Sequence, residues 1–391
     1  MKTAYVPRRM EGTIRKLSKG FPCIAVTGPR QSGKTTLVRH LFPEKRYVSL
    51  EDPDERDFAE QDPRGFLLRF ASGAVLDEAQ RVPALFSYLQ RVLDERGKMG
   101  YFVLTGSQQF HLVESITQSL AGRVALLHLA PFSFSEMESV SCLGDDLDEV
   151  LLKGGYPPVH TRDVDPGAWF SNYVATYVER DVRALLNVRD LATFRRFLRL
   201  CAGRVGQLVN LSSLGTECGI AHNTVKAWLS ILEASFILFL VSPYFRNFNK
   251  RLVRTPKLYF YDTGLLCALL GIEKKEHLEL HPQRGSIFEN AVAAELVKER
   301  LHAGREPNLF FWRDRSGFEI DFLTEKDNVL DAVEVKSGKT VLSEFFRGLH
   351  RWREIAGAAA GKSCLVYGGD ESFVREGHVI VPWRKVASLL R

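Results

Sequence analysis

Short apolar runs separated by helical spacings fill the N-terminal part of the chain, a pattern that predicts strands buried on both faces between amphipathic helices. Cys23-Ile24-Ala25-Val26 is the first such run, and Leu37, Val38 and Leu41 follow at helical intervals. Tyr47 to Leu50, Ala74 to Leu76 and Tyr101 to Thr105 predict three more strands, with a helix around Phe66 to Phe70. The turn-forming patch Gly154-Gly155-Tyr156-Pro157-Pro158 predicts the end of this unit.

Past that turn the period changes. Trp169 to Leu186 and Leu191 to Leu200 are apolar at helical spacing, with Arg180, Arg183, Arg195, Arg196 and Arg199 among them. A short helix opening at Asn210, a turn at Gly219-Ile220-Ala221 and a second amphipathic helix from Asn223 to Leu232 have the spacing of a helix-turn-helix. The β-rich runs Phe236 to Val241 and Lys257 to Tyr261 predict a winged hairpin, with Arg246, Lys250, Arg251 and Arg254 in its loop. From Arg284 a new helix runs through Val297, followed by β-like stretches at Leu309 to Arg313, Phe318 to Leu323 and Val329 to Val335. An amphipathic helix, Phe345 to Ile355, and strands at Ser363 to Tyr367 and His378 to Val381 complete the reading.

Length and charge sharpen this picture. A chain of 391 residues is long enough for two or three domains. The net charge is only +6, yet Arg180 to Phe260 holds thirteen Lys or Arg against four Asp or Glu. A basic middle between near-neutral flanks is what a nucleic-acid contact surface requires, although a solvated basic face has the same composition. Under the first reading, Asn223, Thr224 and Lys226 begin the recognition helix, and the wing residues Arg246, Lys250, Arg251 and Arg254 meet phosphates. Six scattered cysteines without a CxxC pair fit a reducing cytoplasm. The longest apolar run, Ala234 to Val241, is too short to span a bilayer, so no membrane association is expected. Lys2, Arg8 and Arg9 precede no apolar core, so no signal peptide is expected either.

The candidate chemistry begins at Gly28-Pro29-Arg30-Gln31-Ser32-Gly33-Lys34-Thr35-Thr36, a complete GxxxxGKT between a strand and a helix. Glycines let successive N–H groups face phosphate oxygens, Lys34 reaches the β- and γ-phosphates, and Thr35 supplies an oxygen to Mg²⁺. ATP and Mg²⁺ are the expected ligands. Asp77 and Glu78 end an apolar strand, where one carboxylate can hold Mg²⁺ through water and the other can activate the attacking water. Taken alone, such a pair also marks a helix start. Thr105 and Ser107 end the next strand, and Ser107 is the expected contact to the γ-phosphate or the water; a hydroxyl there equally caps the following helix.

Six blocks together resemble a prokaryotic family of AAA+ ATPases that carry a C-terminal domain of unknown function. They are Gly28 to Leu37, Leu76 to Gln80, Leu104 to Ser107, Leu120 to Arg123, Pro131 to Glu136 and Gly154 to Pro157. The resemblance covers essentially the whole chain. It implies an arginine finger, for which Arg123 is the candidate, with a surface ion pair as the alternative. No second sensor arginine is evident in a helical lid, which leaves a ring assembly open.

In the C-terminal part, Glu289 on a helix, Asp321 on a strand and Glu334-Val335-Lys336 on the next resemble the PD-(D/E)xK superfamily of restriction-endonuclease-like folds. Strand alternation puts Glu334 and Lys336 on one face, with Asp321 beside them. The resemblance implies carboxylates that hold Mg²⁺ and a lysine that polarises water. Ile320 stands where the superfamily has proline. The expected fold class is therefore α/β: a P-loop NTPase parallel sheet (1–157), a helical winged-helix region (158–270) and a restriction-endonuclease-like domain (271–391). The expected function is ATP hydrolysis coupled to DNA binding or processing, in a monomer or homo-oligomer. The alternatives are an ATP-switched regulator, or a signalling or scaffold ATPase, each with an idle nuclease-like domain.

Overall fold

Apolar runs between helices form the predicted parallel sheet, in the order β2-β3-β4-β1-β5. Its strands are β1 (Cys23–Thr27), β2 (Arg46–Ser49), β3 (Ala74–Asp77), β4 (Phe102–Gly106) and β5 (Val124–His128). The computed structural model describes residues 5–107, 116, 119–178, 190–244 and 253–390. Strand β5, an edge strand whose residues alternate between buried and half-buried, is an addition to the sequence reading, although Val124 to Leu127 is an apolar run. Since all five strands are parallel, their carboxyl ends lie together, and the phosphate-binding turn, Asp77 and Ser107 share that edge.

A second sheet has eight strands in the order β12-β13-β11-β10-β9-β8-β6-β7. They are β6 (Leu238–Pro243), β7 (Lys257–Phe260), β8 (Phe310–Arg313), β9 (Glu319–Lys326), β10 (Val329–Lys336), β11 (Ala360–Tyr367), β12 (Phe373–Arg375) and β13 (His378–Pro382). Asp327 and Asn328, both at positive φ, make the two-residue turn that fixes the β9–β10 register. The expected winged hairpin exists as an antiparallel β6–β7 pair, but β6 also pairs in parallel with β8 at Ser242 and Pro243. It is therefore the end of the C-terminal sheet, and the expected boundary at 270/271 cuts through shared hydrogen bonding. One apolar core likewise joins Phe132 and Phe134, Phe194 and Phe197, Phe260, Phe288 and Trp383, across both expected boundaries.

The helix-turn-helix consists of helices Leu211–Cys218 and His222–Ala234. Asn210 caps the first through Ser213 N–H at 2.9 Å, and Gly219, at φ 70°, ends it in the left-handed conformation that favours glycine. Trp228 packs edge-on against Phe194 and Phe197 of helix Leu191–Gly203, fixing the second helix to the bundle. The expected helix from Trp169 starts earlier, at Pro166, because Asp165 caps Ala168 N–H; it becomes a π-helical turn at Val174–Val178.

Helix Arg284–His302 is buried on nearly every side and lies between the two sheets. Its residues bind the ATPase segment that the family-like block Pro131 to Glu136 marks. Glu295 accepts from Phe134 N–H at 2.8 Å, and the Lys298 ammonium donates to Phe132 C=O at 3.0 Å. At the other family-like block, Gly155 N–H donates to Asp262 at 2.7 Å. Those blocks are seats for the C-terminal half.

Candidate nucleotide site and C-terminal acidic pocket

The phosphate-binding turn runs from Gly28 to Gly33 and feeds helix Lys34–Leu41. At Gly28, φ is 146° and a Cβ would lie 2.1 Å from Leu129 C=O, so only glycine fits. The Lys34 ammonium donates to Gly28 and Pro29 C=O at 2.9 and 2.8 Å, bridging the turn that a phosphate would enter. Around it lies a cavity of about 510 Å³, lined by Arg30, Gln31, Lys34, Thr35, Glu78 and Pro157 among others. That volume suits a nucleotide.

Asp77 collects three hydroxyls: Thr35 at 3.0 Å, Tyr47 at 2.6 Å and Thr105. Thr35 and Asp77 present adjoining oxygens, the donor type a hard cation such as Mg²⁺ takes, so this pair fits the metal that the fold implies. Glu78 sits at φ 54°, a left-handed conformation uncommon for a non-glycine residue. That bend turns its carboxylate away from β3 toward the cavity. Ser107 Oγ and Gln80 Nε2 donate to it at 2.9 and 2.6 Å. Thr105 thus contacts the Asp77 carboxylate, and Ser107 the Glu78 carboxylate. Thr36 and Gln31 line the cavity, where Gln31 also donates to Tyr177 OH at 3.1 Å.

Arg123 lies elsewhere. It precedes β5, so it occupies the amino-terminal edge of a parallel sheet whose carboxyl edge holds the turn, and it pairs with Asp94 at 2.6 Å on the surface. The strand stands between it and its own nucleotide site. The expected finger is therefore out of reach within one chain, for a topological reason.

Sequence reasoning missed Tyr47, Gln80 and Arg8. The Arg8 guanidinium is buried and donates to Ser32 C=O at 2.8 Å, Ala130 C=O at 2.7 Å and Glu136 at 3.0 Å. No local motif announces a residue that reaches across more than a hundred positions. Tyr47 had a weak signal, a hydroxyl-bearing residue on the strand beside Asp77. Burial pushes the Glu136 carboxyl up, but Arg8 outweighs it and holds the pKa at about 2.

Three histidines, His302 buried and His128 and His160 half-buried, bear on acid stability. Burial lowers His128, His160 and His302 from the usual 6.5 to about 4 each. Between those values the unfolded chain binds protons that the folded one does not, so stability is lost as pH falls through that window. Each ring is expected to cost about 2 kcal/mol between pH 7 and pH 5, lowering the melting midpoint by roughly 5–10 °C in paired thermal melts. A midpoint unchanged at pH 5 would show the rings are not buried neutral.

The helix-turn-helix presents Asn223 and Lys226 fully to solvent and Thr224 partly; Arg254 is exposed as well. Arg246, Lys250 and Arg251 lie outside the described residues.

At the C-terminal sheet, Glu289, Asp321, Glu334 and Lys336 do lie in one cluster, together with Lys257, Tyr259 and Glu319. The Lys257 ammonium lies 3.3 Å from Glu289 and bonds to Glu319. Tyr259 OH donates to Glu289 at 2.5 Å, Val335 N–H to Asp321 at 2.9 Å, and Lys336 pairs with Glu334 at 2.6 Å. Burial first, then the neighbouring Asp321, pushes Glu289 up to about 7 and Glu334 up to about 8.

Comparison with known proteins places these observations. Residues 20–138 match a family described as AAA domain, and residues 144–276 and 284–386 match two families described as domains of unknown function. Among solved structures, a Walker-type ATPase of Pyrococcus abyssi is 14% identical, with TM-score 0.44, over 68% of this chain and 96% of that one. RuvB of Thermotoga maritima is 17% identical, with TM-score 0.32, over 59% of this chain and 88% of that one. The uncharacterized protein Rv2008c of Mycobacterium tuberculosis is 34% identical over 334 residues, covering 84% of this chain and 73% of its own length. An uncharacterized protein of Mycobacterium bovis matches to the same extent. With its phosphate-binding turn and acidic strand end inside the AAA match, the chain belongs to the family of these mycobacterial proteins, with an AAA-type P-loop ATPase domain at its N-terminal end.

Proposed function

We propose that the chain hydrolyses ATP in an Mg²⁺-dependent manner and uses its nucleotide state to govern how the helix-turn-helix engages DNA. One observation carries the first half: Asp77 and Glu78 leave the same strand end, Asp77 bound to Thr35 beside Lys34, and Glu78 facing the cavity under the hold of Ser107. The N–H groups from Gly28 to Thr36 cradle the phosphates, and Lys34 exchanges its carbonyl partners for phosphate oxygens. Thr35 and Asp77 would hold Mg²⁺, which when bound would supply positive charge against the phosphates. Glu78 takes a proton from the attacking water, while Ser107 and Gln80 keep its carboxylate in place. Loss of ATP binding in Lys34→Ala, measured by isothermal titration, is the direct test.

The DNA half rests on the basic middle segment and on Asn223, Thr224, Lys226 and Arg254 at or near the surface. A phosphate-gripping surface loses affinity linearly in log salt concentration. Duplex binding is expected to weaken steeply between 50 and 200 mM salt, by roughly a hundredfold or more, and to differ with and without an ATP analogue. No binding even at low salt would remove this half and leave a protein-contact role. The working division is an ATPase unit (1–157), a helical DNA-contact region (158–270) and a nuclease-like unit (271–391), the last two sharing a sheet.

Arg123 can meet a γ-phosphate only in a neighbouring copy. Arg123→Ala is expected to leave the turnover of dilute protein within about twofold, because an exposed pair such as Arg123–Asp94 contributes little. Loss of activity in dilute monomer would contradict the sheet-edge argument.

A further inference from the structure

The C-terminal pocket has the residues of a Mg²⁺ centre but not the disposition. A divalent ion of this kind needs several oxygens converging on one point. Among the described residues, no three His, Cys, Asp or Glu side chains do so. Several of the carboxylate oxygens already accept from neighbouring groups. Glu289 Oε1 receives the Lys257 ammonium and the Tyr259 hydroxyl, Glu319 receives Lys257 and Arg313, Asp321 Oδ2 receives Val335 N–H, and Glu334 Oε1 receives Lys336. Glu334 Oε2 is buried without a partner.

Lys257 is the unforeseen member. It comes from β7, at the opposite end of the chain's acidic motif, is only 3% exposed, and lies over the Phe311 ring at 5.5 Å. Burial alone would favour the neutral amine, but Glu289, Glu319 and Asp321 outweigh it and hold the Lys257 ammonium in its charged form. Its strand is also fixed from outside: Asn290, on the same helix as Glu289, exchanges both amide hydrogen bonds with Phe260 of β7.

We propose that Lys257 is a resident cation standing in place of a divalent metal: bonded to Glu289 and Glu319, beside Asp321 and the Glu334–Lys336 pair, it ties the β6–β7 hairpin to helix Arg284–His302. The pocket then binds no Mg²⁺ and cuts no phosphodiester. This inference is independent of the ATPase reading, whose failure would leave it standing.

The test is Mn²⁺ binding by the nucleotide-free full chain, counted by electron paramagnetic resonance. Wild type and Asp321→Asn are expected to give the same isotherm. Lys257→Met is expected to gain one site, at least about tenfold tighter than any shared background, and to be stabilised by Mn²⁺ in thermal melts where wild type is not. The double variant Lys257→Met/Asp321→Asn should lose that site. A wild-type site that disappears in Asp321→Asn overturns the proposal, as does Mn²⁺-dependent plasmid nicking that needs Asp321. A Lys257→Met protein that folds but gains no site overturns the role of Lys257. Should that variant fail to fold, Lys257→Gln takes its place under the same expectations, and the comparison of wild type with Asp321→Asn decides metal binding by itself.

Discussion

Glu78→Gln is expected to lower the turnover number for ATP by about 10²–10⁴-fold while leaving ATP affinity close to wild type. The amide keeps the shape and still bonds to Ser107, but it cannot take a proton from water. Affinity is expected to survive because the turn, Lys34 and Thr35 would hold the phosphates, whereas Glu78 is held by Ser107 and Gln80. Steady-state hydrolysis together with titration of a fluorescent ATP analogue separates the two quantities. Turnover near the wild-type rate would remove Glu78 from the role of base. Ser107→Ala, which frees the carboxylate without removing it, is expected to fall between the two.

Arg8→Met carries the second large effect, this time on stability and the turn together. The substitution leaves Glu136 buried without its guanidinium and leaves the Ser32 and Ala130 carbonyls without a donor. Breaking one side of a buried pair costs about 3–5 kcal/mol. Chemical denaturation at pH 7 should report that loss. The ATP KM should rise more than kcat falls, because Arg8 holds the Ser32 carbonyl of the turn rather than Glu78 or Asp77. The Glu136 pKa, held at about 2 by Arg8, adds a signature: the stability it contributes is present above the usual carboxylate value and fades as pH drops toward 2. Arg8→Met should lack that acid-side loss. A variant as stable as wild type would show the pair to be dispensable.

What could be read from the chain beforehand was whatever the chain encodes locally. GxxxxGKT, Asp77-Glu78 and the Asn210-to-Gly219 turn are contiguous, with chemistry and backbone conformation in the same few residues. β5 was legible as the apolar run Val124 to Leu127 and was passed over. Arg8 and Lys257 escaped because their partners lie far along the chain, and a lone basic residue looks solvated until folding shows otherwise. The hairpin after the helix-turn-helix was anticipated as a free wing. Pairing of β6 with β8 depends on residues sixty-odd positions away, which no local pattern could announce.

Helix Arg284–His302 has a further consequence for how such a gene can be rearranged. An ATPase unit cut at residue 157 would bare Phe132 and Phe134 and strip Phe134 N–H and Phe132 C=O of the Glu295 and Lys298 groups that satisfy them. Such a fragment would expose an apolar seat shaped for one helix only. Fusing this ATPase to a different C-terminal module would therefore need new groups that cover Phe132 and Phe134 and satisfy Phe134 N–H and Phe132 C=O.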